Sequence, residues 1–244
     1  MALRRTSRHC RPWMLPLLAA CFGGVPLAPA GVAAAERSWL ELGPAAIAGG
    51  QLENVEPATV AGAIHALAPH PFHPDVLYVG SVNGGVWKTS NATAWSPGFV
   101  PLTDHLPSLS ISELEFDPTD PSWQTLVAGT GRQSALAREG GPEIGLYRTT
   151  DGGASWAVLG PAGAGTCTGI VARGDRIVAG FSGAGVVRSR DAGATWQVVS
   201  GAGTGLPAGR IMDLVADRGA DGVLYAVLAR AAEAVGIYKS SDGG

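Results

Sequence analysis

The sequence predicts an all-β fold, a propeller of four-stranded antiparallel blades, and two observations carry this prediction. The pattern Ser/Thr-x-Asp-x-Gly-x-Ser/Thr-Trp occurs as TTDGGASW at 149–156 and SRDAGATW at 189–196, and its beginning recurs as SSDGG at 240–244. Short apolar runs precede each copy and are separated by turn residues. Each repeat therefore contains four short strands, as a propeller blade does.

The runs fall into the same order in every repeat. A first strand is predicted at 63–67, 112–116, 168–171 and 211–215, and a second at 76–79, 125–128, 176–179 and 223–226. A third strand is predicted at 85–89, 145–149, 185–189 and 236–240. The fourth strand follows the tryptophan of the turn pattern. We expect about four blades, within residues 36–244.

The pattern itself predicts a tight turn between the third and fourth strands of a blade. The aspartate carboxylate can accept hydrogen bonds from backbone N–H groups one to three residues on, and the glycine tolerates positive φ. The tryptophan opens the next strand and can cover the turn. The residues assigned to this structural role are Thr149, Asp151, Gly153, Trp156, Ser189, Asp191, Gly193, Trp196, Ser240 and Asp242.

A degenerate copy of the pattern precedes the other three. The strand GVWKT at 85–89 runs into SNATAW at 90–95, where Asn91 replaces the aspartate and the turn is one residue shorter. The four copies are 60, 40 and 51 residues apart. Repeats at such spacings indicate a propeller, a solenoid or an array.

The turn pattern resembles the Asp-box, or BNR repeat, of sialidases, sortilin-type receptor domains, xyloglucan-specific glycosidases and photosystem assembly factors. The stretch 77–89, which ends in GGVWKT, is similar to the first blade of secreted bacterial BNR proteins. The resemblance covers roughly residues 38–244 and implies that the Asp-boxes lie at the blade periphery. It leaves the activity open, because such folds host unrelated functions.

The number of blades depends on the segment SWLELGPA at 38–45, which repeats SWAVLGPA at 155–162. In the second copy these residues form the outer strand after the turn. The first copy either completes the last blade of a closed four-bladed ring or belongs to the front of a longer propeller. Because Asp-box relatives usually carry more blades and the sequence ends within a motif, we expect an incomplete propeller, truncated at the C-terminus.

Residues 1–35 resemble an export signal, with a basic start and a short apolar run. Cleavage after AAA at 33–35 is one interpretation. The other is a lipoprotein signal at 1–20, because LAAC at 18–21 resembles a lipobox in which Cys21 carries lipid and attaches the protein to a membrane. Both interpretations predict a secreted or cell-envelope protein, in the periplasm or outside the cell.

The charge of the chain excludes nucleic-acid binding as its main role. Four of the 17 basic residues and none of the 20 acidic residues lie in 1–35, so removal of this segment changes the formal net charge from −3 to −7. Phosphate binding requires a basic face. Of the three cysteines only Cys167 then remains, which leaves no intramolecular disulfide.

Three residues are candidates for ligand contact. Trp123 lies in a turn after Pro121, and Glu139 and Glu143 lie in or beside the long insertion at 133–142. Other residues are interpreted as structural: Trp87 and Trp95 as blade packing, and Glu113 and Glu115 as a solvated strand face. The histidines at 65, 70 and 73 do not form a convincing metal pattern, so we expect neither a metal nor a cofactor.

These observations predict an extracytoplasmic recognition or scaffold module for a glycan or protein ligand. The alternative is a glycoside hydrolase of sialidase or xyloglucanase type that acts on polysaccharide. The resemblance weighs against catalysis, because Val82 takes the place of the xyloglucanase acid before Gly84-Gly85 and the sialidase arginine motif is absent from the sequence. No catalytic residue is assigned. A third possibility is an assembly factor for a membrane complex. An enzyme would bring two acids together in a groove at the ring axis, whereas an assembly factor would carry a basic or apolar docking patch.

Overall fold

The computed structural model describes residues 47–52 and 55–60 as backbone, and residues 63–132, 140–229 and 235–244 in full. Every described residue belongs to one compact unit, Glu41–Gly244. Within the described ranges all regular structure is strand, and no helix there has the length and apolarity to cross a bilayer. The segments 1–35 and 38–45 lie outside the described residues.

Seventeen strands follow one another along the described chain. They are β1 (Ile47–Leu52), β2 (Val55–Val60), β3 (Ile64–Pro69), β4 (Leu77–Ser81), β5 (Gly85–Thr89), β6 (Val100–Pro101), β7 (Ile111–Phe116), β8 (Leu126–Thr130), β9 (Leu146–Thr149), β10 (Ala157–Gly160), β11 (Cys167–Arg173), β12 (Arg176–Phe181), β13 (Gly185–Ser189), β14 (Gln197–Val198), β15 (Arg210–Ala216), β16 (Leu224–Ala229) and β17 (Gly236–Ser240).

The strands form consecutive antiparallel sheets, which confirms the predicted propeller of blades. Blade 1 is β3–β6, blade 2 is β7–β10, blade 3 is β11–β14, and blade 4 contains β15–β17. In each blade every strand pairs with the next one along the chain, so the first strand is innermost and the last is outermost. A separate antiparallel hairpin, β1–β2, precedes blade 1. The repeats do not predict this hairpin, because it lies before the first of them.

The cores lie between successive blades rather than within them. One cluster joins Tyr78 and Val86 of blade 1 to Leu114 and Phe116 of blade 2. A second cluster joins blades 2 and 3, and a third joins blades 3 and 4. The inner strands β3, β7, β11 and β15 therefore lie side by side, and the apolar faces of the sheets stack as in a propeller.

A glycine in the second strand of blades 1 to 3 allows the next blade to approach. A Cβ atom built on Gly80, Gly129 or Gly180 would lie 2.6, 2.5 or 2.6 Å from a side-chain atom of the following inner strand. In blade 4 the equivalent residue, paired with Asp213, is Val227. The contacted side chains are those of Ile111, Cys167 and Ile211.

A bulge near the start of each inner strand carries a second joint between blades. His65 Nδ1 donates to the carbonyl of Ser112 at 2.8 Å. The Ser112 hydroxyl donates to the carbonyl of Cys167 at 2.8 Å, and the Thr168 hydroxyl donates to that of Ile211 at 3.0 Å. The bulge residues share polarity but not identity in blades 1 to 3, so the repeat pattern does not reveal this joint.

Candidate functional site

The turns at 149–156 and 189–196 connect the third and outer strands of blades 2 and 3. Thr149 Oγ1 donates to Asp151 Oδ1 at 2.7 Å and accepts from the Gly153 N–H at 2.9 Å. Asp151 accepts from the Ser155 N–H at 2.9 Å and from its hydroxyl at 2.5 Å. Ser189, Asp191, Gly193 and Thr195 form the same bonds.

This geometry differs from the expected one in a single respect. The carboxylate accepts from a backbone N–H four residues on, whereas the sequence predicts one to three. The hydroxyl of Thr149 caps the buried glycine instead. Because the Ser155 hydroxyl donates most strongly, followed by its N–H, the pKa of Asp151 falls to about 2, and Thr195 lowers that of Asp191 to about 2.

The start of the third copy makes the corresponding bonds. Ser240 Oγ donates to Asp242 Oδ1 at 2.6 Å and accepts from the Gly244 N–H at 2.9 Å. The Ser240 hydroxyl is the main cause that lowers the pKa of Asp242 below its usual range. All three aspartates therefore act as hydrogen-bond acceptors within their own turns.

The tryptophans of the two full turns pack against the cores between blades. Trp156 contacts the cluster of blades 1 and 2, and Trp196 contacts that of blades 2 and 3. Trp196 Nε1 also donates to the carbonyl of Leu159 at 2.9 Å, on the preceding blade. Trp156 Nε1 is buried and has no hydrogen-bond partner among the described residues.

The interpretation of Trp95 as blade packing is wrong, because its side chain is 83% exposed. In the degenerate turn the Asn91 Oδ1 accepts from the Thr89 hydroxyl at 2.8 Å and from the Gly98 N–H at 3.0 Å. The turn therefore closes beyond Trp95, and the outer strand β6 does not begin until Val100. Trp95 consequently lies within the turn instead of opening the next strand.

The ligand-contact candidates do not share a site. Trp123 lies in the turn between β7 and β8, and Glu143 lies in the loop between β8 and β9, so they are at opposite ends of β8. Glu143 Oε1 accepts from the Thr166 hydroxyl at 2.7 Å, which ties the loop to the connection that leads into blade 3. Glu139 lies outside the described residues.

Trp123 is held in a turn built by Asp120. Its φ is +53°, a value that non-glycine residues rarely adopt. The carboxylate of Asp120 accepts from the N–H groups of Ser122, Gln124 and Thr125, and from the Ser122 hydroxyl, which lowers its pKa far below the usual range. These hydrogen bonds hold the backbone of Trp123 in its uncommon conformation.

The Trp123 ring belongs to an aromatic cluster at the end of blades 1 and 2. Its centroid lies 5.9 Å from that of Phe116, 5.6 Å from that of Phe72 and 6.2 Å from that of His70, mostly edge to face. His70 Nδ1 accepts from the N–H groups of Phe72 and His73, both at 3.2 Å. Within the described ranges, no three histidine, cysteine or acidic side chains are placed to hold a metal ion.

The interpretation of Glu113 and Glu115 as a solvated face needs correction. Both are half-buried on β7, and burial raises the pKa of Glu113 to about 7, with further contributions from Asp213 and Glu115. Burial raises the pKa of Glu115 to about 6, although Arg173 and Arg218 lower it. The alternation Glu-x-Glu marks one strand face, but only the packing of blades shows that this face points toward another blade.

Asp213 occupies in β15 the position that Glu113 occupies in β7, since both follow the bulge. The same position holds Ala66 in β3 and Gly169 in β11. Asp213 raises the pKa of Glu113, so acids from blades 2 and 4 lie near each other. We call these four positions, Ala66, Glu113, Gly169 and Asp213, the channel row.

A cavity of about 900 Å³ opens where the inner strands end, beside the turns between the first and second strands. Phe116 and Trp123 line one side of this channel-mouth cavity, and Arg173 and Arg218 line the other, with Glu115 between them. Such a combination of ring faces and charged groups is able to bind an extended polar ligand.

Comparison with solved structures identifies the fold. An ancestral GH74 enzyme superposes with a TM-score of 0.57 at 19% identity, over 86% of this chain and 25% of that chain. A GH74 enzyme from Niastella koreensis gives a TM-score of 0.55 at 17% identity, over 75% of this chain and 29% of that chain. The chain thus spans about a quarter of the GH74 structures that it matches. The likeness shows that the chain has a β-propeller fold.

YCF48 from Cyanidioschyzon merolae is also similar, with a TM-score of 0.48 at 14% identity, over 73% of this chain and 56% of that chain. No protein-family model matches the chain. No curated protein matches it either.

Proposed function

We propose that the chain is a BNR, or Asp-box, β-propeller that acts outside the cytoplasm as a recognition or scaffold module for a glycan or protein ligand. The observation that carries the proposal is the channel-mouth cavity, with Trp123 and Phe116 facing Arg173 and Arg218. The hydrogen-bond geometry shared by the turns at 149–156 and 189–196 supports the Asp-box assignment.

Trp123 is the proposed anchor of the ligand. Its backbone is in a strained region of φ, and residues held in such conformations cluster at ligand-binding sites. The Asp120 carboxylate fixes the turn, so the ring is positioned before a ligand arrives. A fixed ring loses little conformational entropy on binding.

The test compares Trp123→Ala with Trp95→Ala. Trp95 is an exposed tryptophan outside the cavity and serves as the matched control. Binding to xyloglucan, polygalacturonate and dextran sulfate is measured by affinity electrophoresis. We expect at least one polysaccharide to be retarded by the wild type, about tenfold more weakly by Trp123→Ala, and equally by Trp95→Ala. Equal binding by the wild type and both variants would show that the ligand does not bind in the channel-mouth cavity.

A glycoside hydrolase is the second candidate, favoured by the acids of the channel row. Glycosidases pair a protonated acid with an ionised carboxylate. Glu113 has a pKa of about 7, and Asp213 contributes to raising it. Against this candidate, Val82 is buried, with 5% exposure, where the resemblance implies an acid.

Reducing-sugar release from the same polysaccharides, from about pH 5 to 8, tests the second candidate. A hydrolase would lose about a hundredfold or more of its activity in Glu113→Gln. The absence of release by the wild-type protein over this range would eliminate the candidate and leave the recognition module.

Export is proposed on the basis of residues 1–35 alone. The intact mass of the protein from its native host distinguishes the two forms. A product that begins at Glu36 supports secretion, and a product that begins at a lipidated Cys21 supports attachment to the membrane. A full-length product in the cytoplasm would contradict both.

A further inference from the structure

The channel-mouth cavity continues into a second cavity of about 440 Å³. The first cavity begins at Phe116 and Trp123, and the second extends to Arg188 and Arg190. Together they form one groove, which we call the turn-end groove, along the ends of blades 2 to 4. The residues that line both cavities are Thr119, Arg173, Arg176, Asp221 and Gly243.

Arginines line this groove along most of its length. The arginines are close to one another, as the pKa of Arg188 indicates. Burial lowers this pKa most, and the neighbouring charges of Arg190 and Arg176 lower it further, whereas Asp242 raises it. Placing guanidinium groups near one another costs electrostatic free energy, and such clusters are frequent at functional sites. The arginines of the groove are Arg173, Arg176, Arg188, Arg190 and Arg218.

The acids of the groove leave several of these guanidinium groups without a carboxylate. Asp217 accepts from the N–H groups of Gly219 and Ala220, and Asp242 accepts from Ser240. Among the described residues, the pair Arg176–Asp221, at 3.6 Å, is the ion pair within 4 Å.

Two acids remain in the groove. Glu115 is half-buried with its pKa raised to about 6, and Asp175 is exposed to solvent. Arg173 Nη1 donates to the carbonyl of Ala172 at 2.6 Å, and Arg188 donates to Gly244 and Gln197. Because a guanidinium group carries five N–H donors, donors still exceed unengaged acceptors in the groove, which suits a ligand that is rich in acceptors.

We propose that the turn-end groove binds an anionic glycan, of which one sugar ring packs on Trp123 and the acidic groups pair with Arg173 and Arg218. The inference rests on the proposed recognition function and names its ligand class. Guanidinium groups match carboxylate and sulfate oxygens with paired hydrogen bonds. The indole ring of Trp123 favours a glycan over an acidic peptide, because a sugar ring can pack a flat face of C–H groups against the indole.

Binding is measured with four probes: oligogalacturonate, which carries carboxylates, dextran sulfate, neutral xyloglucan oligosaccharides, and poly-glutamate. The variants are Arg173→Gln with Arg218→Gln, and the control is Arg210→Gln. Arg210 is exposed at the opposite end of β15 and lines neither cavity. The thermal melting of each protein is recorded to establish that it is folded.

We expect an anionic probe to bind more tightly than xyloglucan, and to bind about tenfold or more weakly to the double variant, with no change in Arg210→Gln. Raising the salt from about 0.05 to 0.5 M should weaken wild-type binding, which tests the inference without any variant. Oligogalacturonate and dextran sulfate distinguish a carboxylate from a sulfate as the recognised group.

Preferential binding of xyloglucan, or unchanged binding by the double variant, would overturn the anionic ligand and leave the recognition function in place. Binding of poly-glutamate but of no glycan would also overturn it, in favour of a protein ligand. If the folded protein binds none of these probes, the proposed recognition function itself fails.

Discussion

The outer turns and the inner strands of this propeller follow opposite rules. Equivalent hydrogen bonds of the turns in blades 2 and 3 differ by no more than 0.1 Å, since the same residue types make them. The channel row instead holds a different residue in each blade: Ala66, Glu113, Gly169 and Asp213. The repeated residues fix each turn, whereas the unrepeated residues place two acids near each other on the inner strands.

The two regions also differ in how they treat a carboxylate. The turns supply donors, so the pKa of Asp151 and Asp191 falls to about 2. The inner strands supply burial and neighbouring acids, so the pKa of Glu113 rises to about 7. An acid in the turns is therefore fixed in the ionised form, whereas Glu113 on β7 can gain or lose a proton near neutral pH.

The largest expected effect concerns Gly169, a channel-row residue that is required for packing and not for chemistry, so that it is an exception to the contrast drawn above. A Cβ on Gly169 would lie 2.6 Å from both the backbone N and O of Leu214. Gly169→Ala should lower the free energy of unfolding by about 3 kcal/mol, since the strands must separate. Urea denaturation measures the change. The control is Gly98→Ala, where no atom lies within 4 Å of the added Cβ. Similar stability of the two variants would contradict the close packing of β11 and β15.

Thr149→Val sharpens the comparison from the side of the turns. The isosteric change removes the hydroxyl that caps the buried Gly153 N–H at 2.9 Å. An unpaired buried N–H costs about 2 kcal/mol, so the unfolding midpoint should fall accordingly. Thr93→Val is the control and should change stability less, because the Thr93 hydroxyl, which donates to Asp75 in the degenerate turn, is exposed to water. Equal losses would show that the repeated hydroxyl has no special role.

Glu113→Gln separates the two regions by pH. The pKa of Glu113 is about 7 in the folded protein against 4.5 for the free group, so the folded state holds the proton longer. The stability that this provides is fully present below about pH 4.5 and is lost as the pH rises through about 7. After allowance for partial exposure, the wild type should lose about 1–2 kcal/mol more than the variant between about pH 5 and 8.

The acids of the turns contribute with the opposite sign and in another window. Their stabilisation is present above pH 3.8 and is lost as the pH falls through about 2. Melting curves recorded over both windows check the two signs. Parallel profiles of wild type and Glu113→Gln above pH 5 would contradict the burial of this acid.

The smallest effect distinguishes two tryptophans at the same motif position. Trp196→Phe removes the hydrogen bond to the Leu159 carbonyl and should cost about 1 kcal/mol beyond the loss of ring area. Trp156→Phe removes a buried N–H that has no described partner, so it should cost less. Chemical denaturation of the pair gives the difference. A larger loss in Trp156→Phe would mean that its indole has a partner outside the described residues.

The sequence predicted the blades well because their signals are local. Strands such as β7 and β12 follow from apolar runs bounded by turn residues, and the turn at 149–156 follows from the types of its own residues. Trp95 shows the limit of this reasoning. It matches the pattern, yet a one-residue difference in turn length moves its side chain into solvent.

The candidate site could be predicted only in part. Trp123 was singled out by its turn and does line the cavity. Arg173 and Arg218 gave no signal, because they are 45 residues apart along the chain and line one cavity only when blades 3 and 4 stack. Glu143 was a candidate for ligand contact, but its carboxylate accepts a hydrogen bond from the Thr166 hydroxyl.

By itself, the sequence determined the all-β blades, their order and the turns that end them, since each depends on residues within a few positions of one another. The tertiary structure decided which face of β7 is buried, which arginines line one cavity, and that Asp213 lies near enough to Glu113 to raise its pKa. The physical reason is that burial and charge proximity arise between blades. The sequence of a single strand does not specify which strand of another blade will cover it.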